Sequence, residues 1–261
     1  MKASKGIAAA LCGVALCFGS CKPEPHFDPD SFIPCELPNQ LSEKQMKLGW
    51  VLLWEGSDTE AWTSAKDIGL TFPQWGWFVE DGQLCVEENG GRESTNGGDI
   101  MTFEMFENFW ISVDFKLSPG ANSGIKYFVN PELFPSTGSA IGCEYQILDD
   151  DLHPDAKLGV NGNRTLASLY DLIPADKENV EYEKYGWNTA WIVVQGNMVS
   201  HWLNGTKVLE YDRFSPEFDE CVRNSKFRER EGFGKLDSGH ILLQDHGNEV
   251  RYRNIMLMKL E

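Results

Sequence analysis

Basic residues are scarce in this chain: 23 lysines and arginines stand against 40 aspartates and glutamates in 261 residues, for a formal net charge of -17. Phosphate binding needs clustered Lys and Arg, so nucleic acid is not expected as a partner, and the acidity is read as serving solubility. No CxxC pair occurs among the seven cysteines, which argues against a zinc site. A phosphate-cradling GxGxxG is missing, and the glycine pairs at 90–91 and 97–98 read as loops. No nucleophile-elbow sequence stands behind Ser-His-Asp catalysis. Helical periodicity is also scarce, with only Ser42 to Leu48 reading as a short helix. Internal repeats and low-complexity tracts are absent.

The longest apolar run near the start, Ile7 to Phe18, is too short to cross a bilayer comfortably. With Lys2 and Lys5 before it and Phe18-Gly19-Ser20-Cys21 after it, residues 1 to 21 read as a lipoprotein signal peptide with Cys21 as the lipidated residue. Phe18 stands where Leu is more usual. Residues 22 to 47 are then a tether and short N-terminal segment, and the folded domain spans 48 to 261. The expected compartment is the periplasm or cell surface, lipid-anchored to the outer membrane, with membrane contact through the anchor alone. Cys35, Cys85, Cys143 and Cys221 remain after export. Cys85 and Cys143 sit in apolar strand patterns and are expected to be buried free thiols.

From Trp50 onward the pattern is one of short strands punctuated by Gly, Asn, Asp and Pro. Trp77 to Val79 and Gln83 to Val86 form a hairpin through Glu80-Asp81-Gly82, and Gly196-Asn197 and Asn204-Gly205 mark two more turns. Phe109 to Leu117 alternates, placing Phe109, Ile111, Val113, Phe115 and Leu117 toward the core and Trp110, Ser112, Asp114 and Lys116 on the other face. Further strands are read at Trp50 to Trp54, Ser123 to Val129, Ile141 to Leu148, Ala190 to Gln195, Met198 to Leu203, Lys207 to Tyr211, His240 to Gln244 and Arg251 to Leu257. About a dozen strands without alternating helices make the expected fold all-β, a single-domain jelly-roll β-sandwich. Asp149 to Trp187 has few strand signals, and a loop of that length is expected to wall or lid a binding face.

The stretch GCEYQILDDDLHPDA carries an unusual face. Glu144 and Gln146 stand where a sheet built only for packing would place Val or Thr, so a polar ligand is expected there. Lys126 shares such a face on its own strand, as do His240, Gln244 and His246 on theirs. Amides, a carboxylate, a lysine and histidines suit a substrate with many hydroxyls, and nine tryptophans supply stacking surfaces. The long loop adds His153, Asn161, Asn163, Arg164, Tyr170 and Asp171. Asp149-Asp150-Asp151 with His153 and Asp155 are oxygen-rich enough for calcium or a similar divalent ion. Their spacing lacks the glycine and closing glutamate of a helix-loop-helix calcium site. A cofactor is therefore expected only as such an ion at Asp149 and Asp150, or not at all.

The runs GWVLLWEGSDTEAW, WFVEDGQL, GGDIMTFEMFENFWISVDFKLSPGANSGIKYF, GCEYQILDD, NRTLASLYDLIPA, WIVVQGNMVSHWLNG and ILLQDHGNEVRYRNIML resemble, in order, the 3-keto-disaccharide hydrolase domain family. The resemblance covers Leu48 to Glu261. It implies a concanavalin A-like jelly roll acting on glycosides oxidised at C3. A ketone at C3 acidifies the C2 proton, so a base removes it, the enediolate expels the C1 substituent, and the unsaturated keto sugar adds water. Such a site needs a base, a donor or metal for the enolate oxygen and an acid for the leaving group. On this reading the base is Glu144 or His153, Arg164, Lys126 and Gln146 polarise the C3 oxygen, and Tyr170 or His246 protonates the aglycone. Asn163, His240 and Gln244 complete the substrate-binding set.

Two other readings stay open at the level of sequence. Glu144-Tyr-Gln146-Ile-Leu-Asp149 looks like a degraded form of the Glu-x-Asp-x-x-Glu strand of laminarinase-type retaining glycosidases, which need carboxylates about 5 to 5.5 Å apart. A lipid-anchored surface lectin is the non-catalytic alternative. The titratable cluster of Glu144, His153, Arg164 and His246 argues for the enzyme.

Overall fold

A computed structural model of the chain describes residues 26–34, 36–66, 72–92, 97–134 and 139–261. The expected signal peptide with Cys21, and Cys35, lie outside the described residues. Among the described residues thirteen strands follow in chain order. They are β1 (Trp50–Leu52), β2 (Trp62–Ser64), β3 (Trp77–Glu80), β4 (Gln83–Val86), β5 (Ile100–Thr102), β6 (Phe109–Leu117), β7 (Asn122–Val129), β8 (Cys143–Leu148), β9 (Asn188–Gln195), β10 (Met198–Leu203), β11 (Thr206–Asp212), β12 (His240–Leu243) and β13 (Val250–Lys259). One helix, α1 (Glu43–Leu48), precedes them, and α2 (Pro216–Arg223) follows β11.

The strands form two antiparallel sheets, the jelly-roll sandwich expected of an all-β chain. The larger runs β11-β10-β9-β6-β13-β4-β3, with β1 also paired to β13, and the smaller runs β2-β5-β12-β7-β8. The hairpins sit where turn residues require them. Asp81-Gly82 joins β3 to β4 and Asn204-Gly205 joins β10 to β11, all four with positive φ, the geometry that matches the twist of paired strands. Phe109, Ile111, Val113, Phe115 and Leu117 of β6 enter the core, where they join Ile125, Tyr127, Tyr145, Ile147, Ile241 and Leu243 of the smaller sheet. Cys85 and Cys143 are buried free thiols, and burial pushes the Cys143 thiol up to about 12.

Three features depart from the expectation. β2 and β5 have only three residues each, all buried, so neither shows an alternation to read. Helix α2 carries a readable start, since the Ser215 hydroxyl accepts the Phe218 N–H at 3.1 Å and Pro216 takes the first turn. Finally, the outward face of β6 is not left to solvent. Trp110 is fully buried with Trp50, Trp191, Met256 and Met258 in a second cluster. Phe27 and Phe32, within the stretch expected as a tether, lie edge-on to Trp110 and Trp50 at 4.8 and 5.9 Å.

One polar network runs through the sandwich interior. The His201 Nδ1–H donates to the Ala167 carbonyl (2.9 Å), Nε2 accepts from the Tyr127 hydroxyl (2.7 Å), and Tyr127 accepts from Tyr211 (2.9 Å). This single direction of donation satisfies the buried ring in its neutral form. Complete burial holds its pKa down at about 3. The unfolded chain therefore binds a proton that the folded chain refuses, so this residue's contribution is intact above pH 6.5 and is lost as pH falls toward 3. At about 1.4 kcal/mol per pKa unit the loss is on the order of 5 kcal/mol. Denaturant unfolding of the wild type and His201→Gln at pH 7 and pH 4 is expected to show the smaller acid loss in the variant; equal losses would remove His201 from the acid sensitivity.

Candidate active site

Strands β7 and β8 are paired without a break in register, Lys126 opposite Glu144 and Gly124 opposite Gln146. Alternation sends Tyr145 and Ile147 into the core, so Glu144 and Gln146 point outward from the smaller sheet. The connection from Asp149 to Trp187 folds over that face. Its residues 167–170 pair with the free edge of β8: Ala167 N–H donates to the Gln146 carbonyl (2.8 Å), Gln146 N–H to Ser168 (3.1 Å) and Tyr170 N–H to Glu144 (3.0 Å). The wall thus also covers a strand edge that would otherwise stay open. Between wall and sheet lies a cavity of about 360 Å³, inside the range of roughly 300–1,000 Å³ usual for small-molecule sites.

Glu144 and Gln146 line this cavity with Lys126 of β7, His153 and Tyr170 of the wall, and Gln244 and His246 beyond β12. The Glu144 side chain is 5% exposed and lies over Gly124, where an added Cβ would overlap Oε1 and stand 2.9 Å from Cδ. Glycine at 124 is therefore the space in which the carboxylate rests. Gln146 is 1% exposed; its Nε2 donates to Asn122 (3.2 Å), while Oε1 has no partner among the described residues. A buried acceptor left in that state costs about 1–3 kcal/mol, which a ligand hydroxyl would relieve. The Lys126 ammonium donates to Ser139 and to the Ala140 carbonyl (3.2 Å) and faces Asp99 at 3.7 Å. Asp99 accepts in turn from Ser139 and the Asp245 N–H.

His153 is fixed by its backbone role. Its Nδ1 accepts the Asp155 N–H (3.2 Å) as the cap of the short 3-10 turn Pro154–Lys157, so the neutral ring carries its proton on Nε2. Burial first, and the charge of His246 second, hold its pKa below the usual histidine range. The His246 ring stands nearly perpendicular at 5.7 Å. His153 thus presents a neutral N–H donor at Nε2, not the acceptor expected of a base.

Arg164 belongs to the wall but does not line the cavity. It binds two carboxylates, Nη1 to Asp155 at 2.9 Å and Nε to Asp171 at 2.7 Å. Asp155 also accepts from the Tyr170 hydroxyl (2.8 Å), and Asp171 from the Lys226 backbone N–H (2.8 Å). The arginine expected to polarise substrate instead ties Tyr170, His153 and Lys226 to one frame. Tyr170 lines the cavity, but its proton points to Asp155, and burial followed by that carboxylate raises its pKa far above the usual phenol value. It is a poor proton donor to a leaving group.

Three further expectations change. The Asn163 side chain accepts the Val160 N–H (2.9 Å) and shapes the loop, away from the cavity. His240 bonds the Thr102 carbonyl through Nδ1 (2.7 Å), and the β12–β7 register shifts between His240 and Leu242, so period-2 spacing does not bring it beside Gln244 in the cavity. Asp149 and Asp150 do not suit a divalent ion. Asp149 accepts from Gly120, Asp151, Leu152 and the Tyr185 hydroxyl, and Asp150 from Leu166 and Lys177. Burial raises the Asp149 pKa, but those hydrogen bonds outweigh it and the net shift is downward. No group of three potential metal-binding side chains occurs among the described residues.

Sequence reasoning did not name Lys226, which lines the cavity from the segment after α2. Its ammonium lies 4.1 Å from the Tyr170 ring centre and 5.1 Å from that of Phe227. Nothing local in Ser225-Lys226-Phe227 marks it, because only the tertiary fold carries it to β8.

Comparison with known proteins agrees with this fold. Residues 49–258 match the 3-keto-alpha-glucoside-1,2-lyase-like domain. A protein of Bacteroides thetaiotaomicron named 3-keto-disaccharide hydrolase is 35% identical over 236 residues, covering 82% of this chain and 79% of that one. Two crystal structures from Parabacteroides distasonis, each described as a "putative glycosyl hydrolase", are also similar. The first has a TM-score of 0.72 at 27% identity over 86% of this chain and 100% of that one; the second has 0.55 at 25% over 81% and 99%. This chain is an enzyme of the 3-keto-alpha-glucoside-1,2-lyase-like domain family.

Proposed function

We propose that this enzyme cleaves 3-keto glycosides by elimination across C1 and C2 followed by hydration. The observation that carries this reading is the charge of the cavity wall. Asp155 is engaged by Arg164 and Tyr170, and Glu144, the other carboxylate lining the cavity, shares it with the ammonium groups of Lys126 and Lys226 and the N–H donor of His153. An oxocarbenium transition state is cationic and gains little from such company; an enolate is anionic and gains from it.

Glu144 takes the C2 proton, and the C2 electrons move toward the C3 oxygen. On collapse of the enolate the C1–O bond breaks, and the departing oxygen takes a proton from His246. Water then adds across C1 and C2: its hydroxyl bonds C1 as its other proton passes to His246, restoring that residue, and Glu144 returns its own proton to C2. The neutral His153 Nε2–H donates to a substrate oxygen, the Lys126 ammonium keeps its protein acceptors Ser139 and Ala140 beside Asp99, and Gln146 Oε1 accepts a hydroxyl. The basic start, apolar run and Cys21 support export and lipid anchoring to the outer membrane, facing the periplasm or the cell surface.

The purified protein is expected to release aglycone from a 3-keto glucoside and not from its unoxidised parent, with chelator present or absent. Release from the parent alone would return the retaining-glycosidase reading. Glu144→Gln is expected to lower kcat by about a thousandfold with binding retained, consistent with the 10²–10⁴-fold typical of a lost general base. Gly124→Ala tests the seat of the carboxylate. The backbone at 124 accepts alanine, so circular dichroism stays unchanged while kcat falls at least about tenfold, one decade being 1.4 kcal/mol of barrier; unchanged kcat would mean that Glu144 acts from another position.

A further inference from the structure

Two lysines line the cavity, and their surroundings differ. The Lys126 ammonium has acceptors on three sides, in Ser139, Ala140 and Asp99. That of Lys226 makes no hydrogen bond and pairs with no carboxylate among the described residues; it rests on the faces of Tyr170 and Phe227. Its backbone is nevertheless held firmly. The Lys226 N–H donates to Asp171, the other oxygen of which binds Arg164, and Phe227 stacks on Phe233 at 4.1 Å. A cation held by its main chain and cushioned on two rings, with its three N–H groups unengaged, is arranged for an anion that arrives with substrate.

We propose that Lys226 is a catalytic residue whose ammonium hydrogen-bonds the C3 oxygen of the substrate and stabilises the negative charge that forms there when Glu144 removes the C2 proton. This assignment rests on the elimination reading and adds the group that meets the enolate. The balance is simple: the C2–H bond breaks, its proton goes to Glu144, its electron pair forms the C2=C3 bond of the enolate as the carbonyl π pair moves onto O3, and Lys226 keeps its own proton. Lys126 is less suited, because an ammonium already compensated by Asp99 offers less to a developing anion.

The groups facing Lys226 give it a pH signature. Glu144 from β8 and Asp171 from the wall favour its charge, while Lys126 from β7 and Arg164 disfavour it; Tyr170 and Phe227 remove water from it. Burial is the largest of these effects, and the net shift is downward. The rate of proton abstraction is therefore lost at alkaline pH as the ammonium titrates, earlier than for an ordinary lysine.

Enolisation is measured apart from cleavage with a 3-keto-1,5-anhydrohexitol, which has no substituent to expel at C1. Loss of the C2 proton signal in deuterium oxide reports abstraction alone. Wild type is expected to exchange C2–H and to cleave a 3-keto glucoside. Lys226→Met is expected to exchange at least a hundredfold more slowly with KM within threefold, and Lys226→Arg to recover part of the rate and move the alkaline loss to higher pH. Exchange by Lys226→Met at the wild-type rate would overturn the role of Lys226 and leave the elimination reading standing. Wild type that neither exchanges nor cleaves would overturn the elimination reading itself, and cleavage without exchange would overturn the enolate and with it this assignment. If Lys226→Met does not fold, Lys226→Arg decides alone: an unmoved alkaline limb would overturn the proposal.

Discussion

The bridge from Asp155 through Arg164 to Asp171 is the interaction on which the candidate site depends. Each carboxylate uses one oxygen on the guanidinium and the other elsewhere, Asp155 on the Tyr170 hydroxyl and Asp171 on the Lys226 backbone. Arginine suits this task because its planar fork gives two directed donors to two partners at once. The wall that it holds is not relaxed: Asn161, Ala167 and Asp171 all have positive φ. Such residues cost on the order of 1–3 kcal/mol each and persist only where surrounding contacts overdetermine them. At Ala167 those contacts are backbone bonds to Gln146 and the buried His201 ring; at Asp171 they are the bonds to Arg164, Asn163 and Lys226.

The same arrangement explains why a charged group can sit on a sheet. The smaller sheet has one face in the sandwich core and the other under the wall, so polar residues at 126, 144 and 146 are desolvated on a rigid support. Flat strands leave little room there, and a glycine at 124 opens the pocket for the Glu144 carboxylate. Rotamer freedom is small in such a seat, which suits the base role proposed for Glu144. The outer face of the larger sheet solves a different problem, covering Trp110 and Trp191 with Phe27 and Phe32.

Legibility of the sequence followed the range of each interaction. Period-2 alternation and Asp-Gly or Asn-Gly turns are local, and the long strands and hairpins were readable from them; β2 and β5 are too short to alternate. Glu144, Gln146 and Lys126 were visible as polar breaks in apolar strands, since their neighbours on the same strand expose the anomaly. Arg164 and Tyr170 were recognisable as polar wall residues, but their roles depend on carboxylates nine and fifteen positions away that residue type does not reveal. His240 was placed by a regular period that the β12–β7 irregularity interrupts. Lys226 lies beyond all such signals, because its position is set by how the segment after α2 returns to the wall.

Register also separates the two glycosidic chemistries. A retaining pair would need Glu144 and Asp149 on one face, yet five residues is an odd separation on a strand with unbroken pairing. Asp149 therefore leaves β8 on the opposite side, where its N–H continues the ladder to Ala121 and its oxygens bind Gly120 and Tyr185. The position that a middle acid would occupy holds Gln146, which cannot ionise and offers one unengaged acceptor. Among the described residues that line the cavity the second carboxylate is Asp155, whose oxygens are engaged by Arg164 and Tyr170. Double displacement would have to draw on a carboxylate already committed to the wall. Abstraction of a C2 proton needs one carboxylate and fixed cations, and it leaves that frame intact.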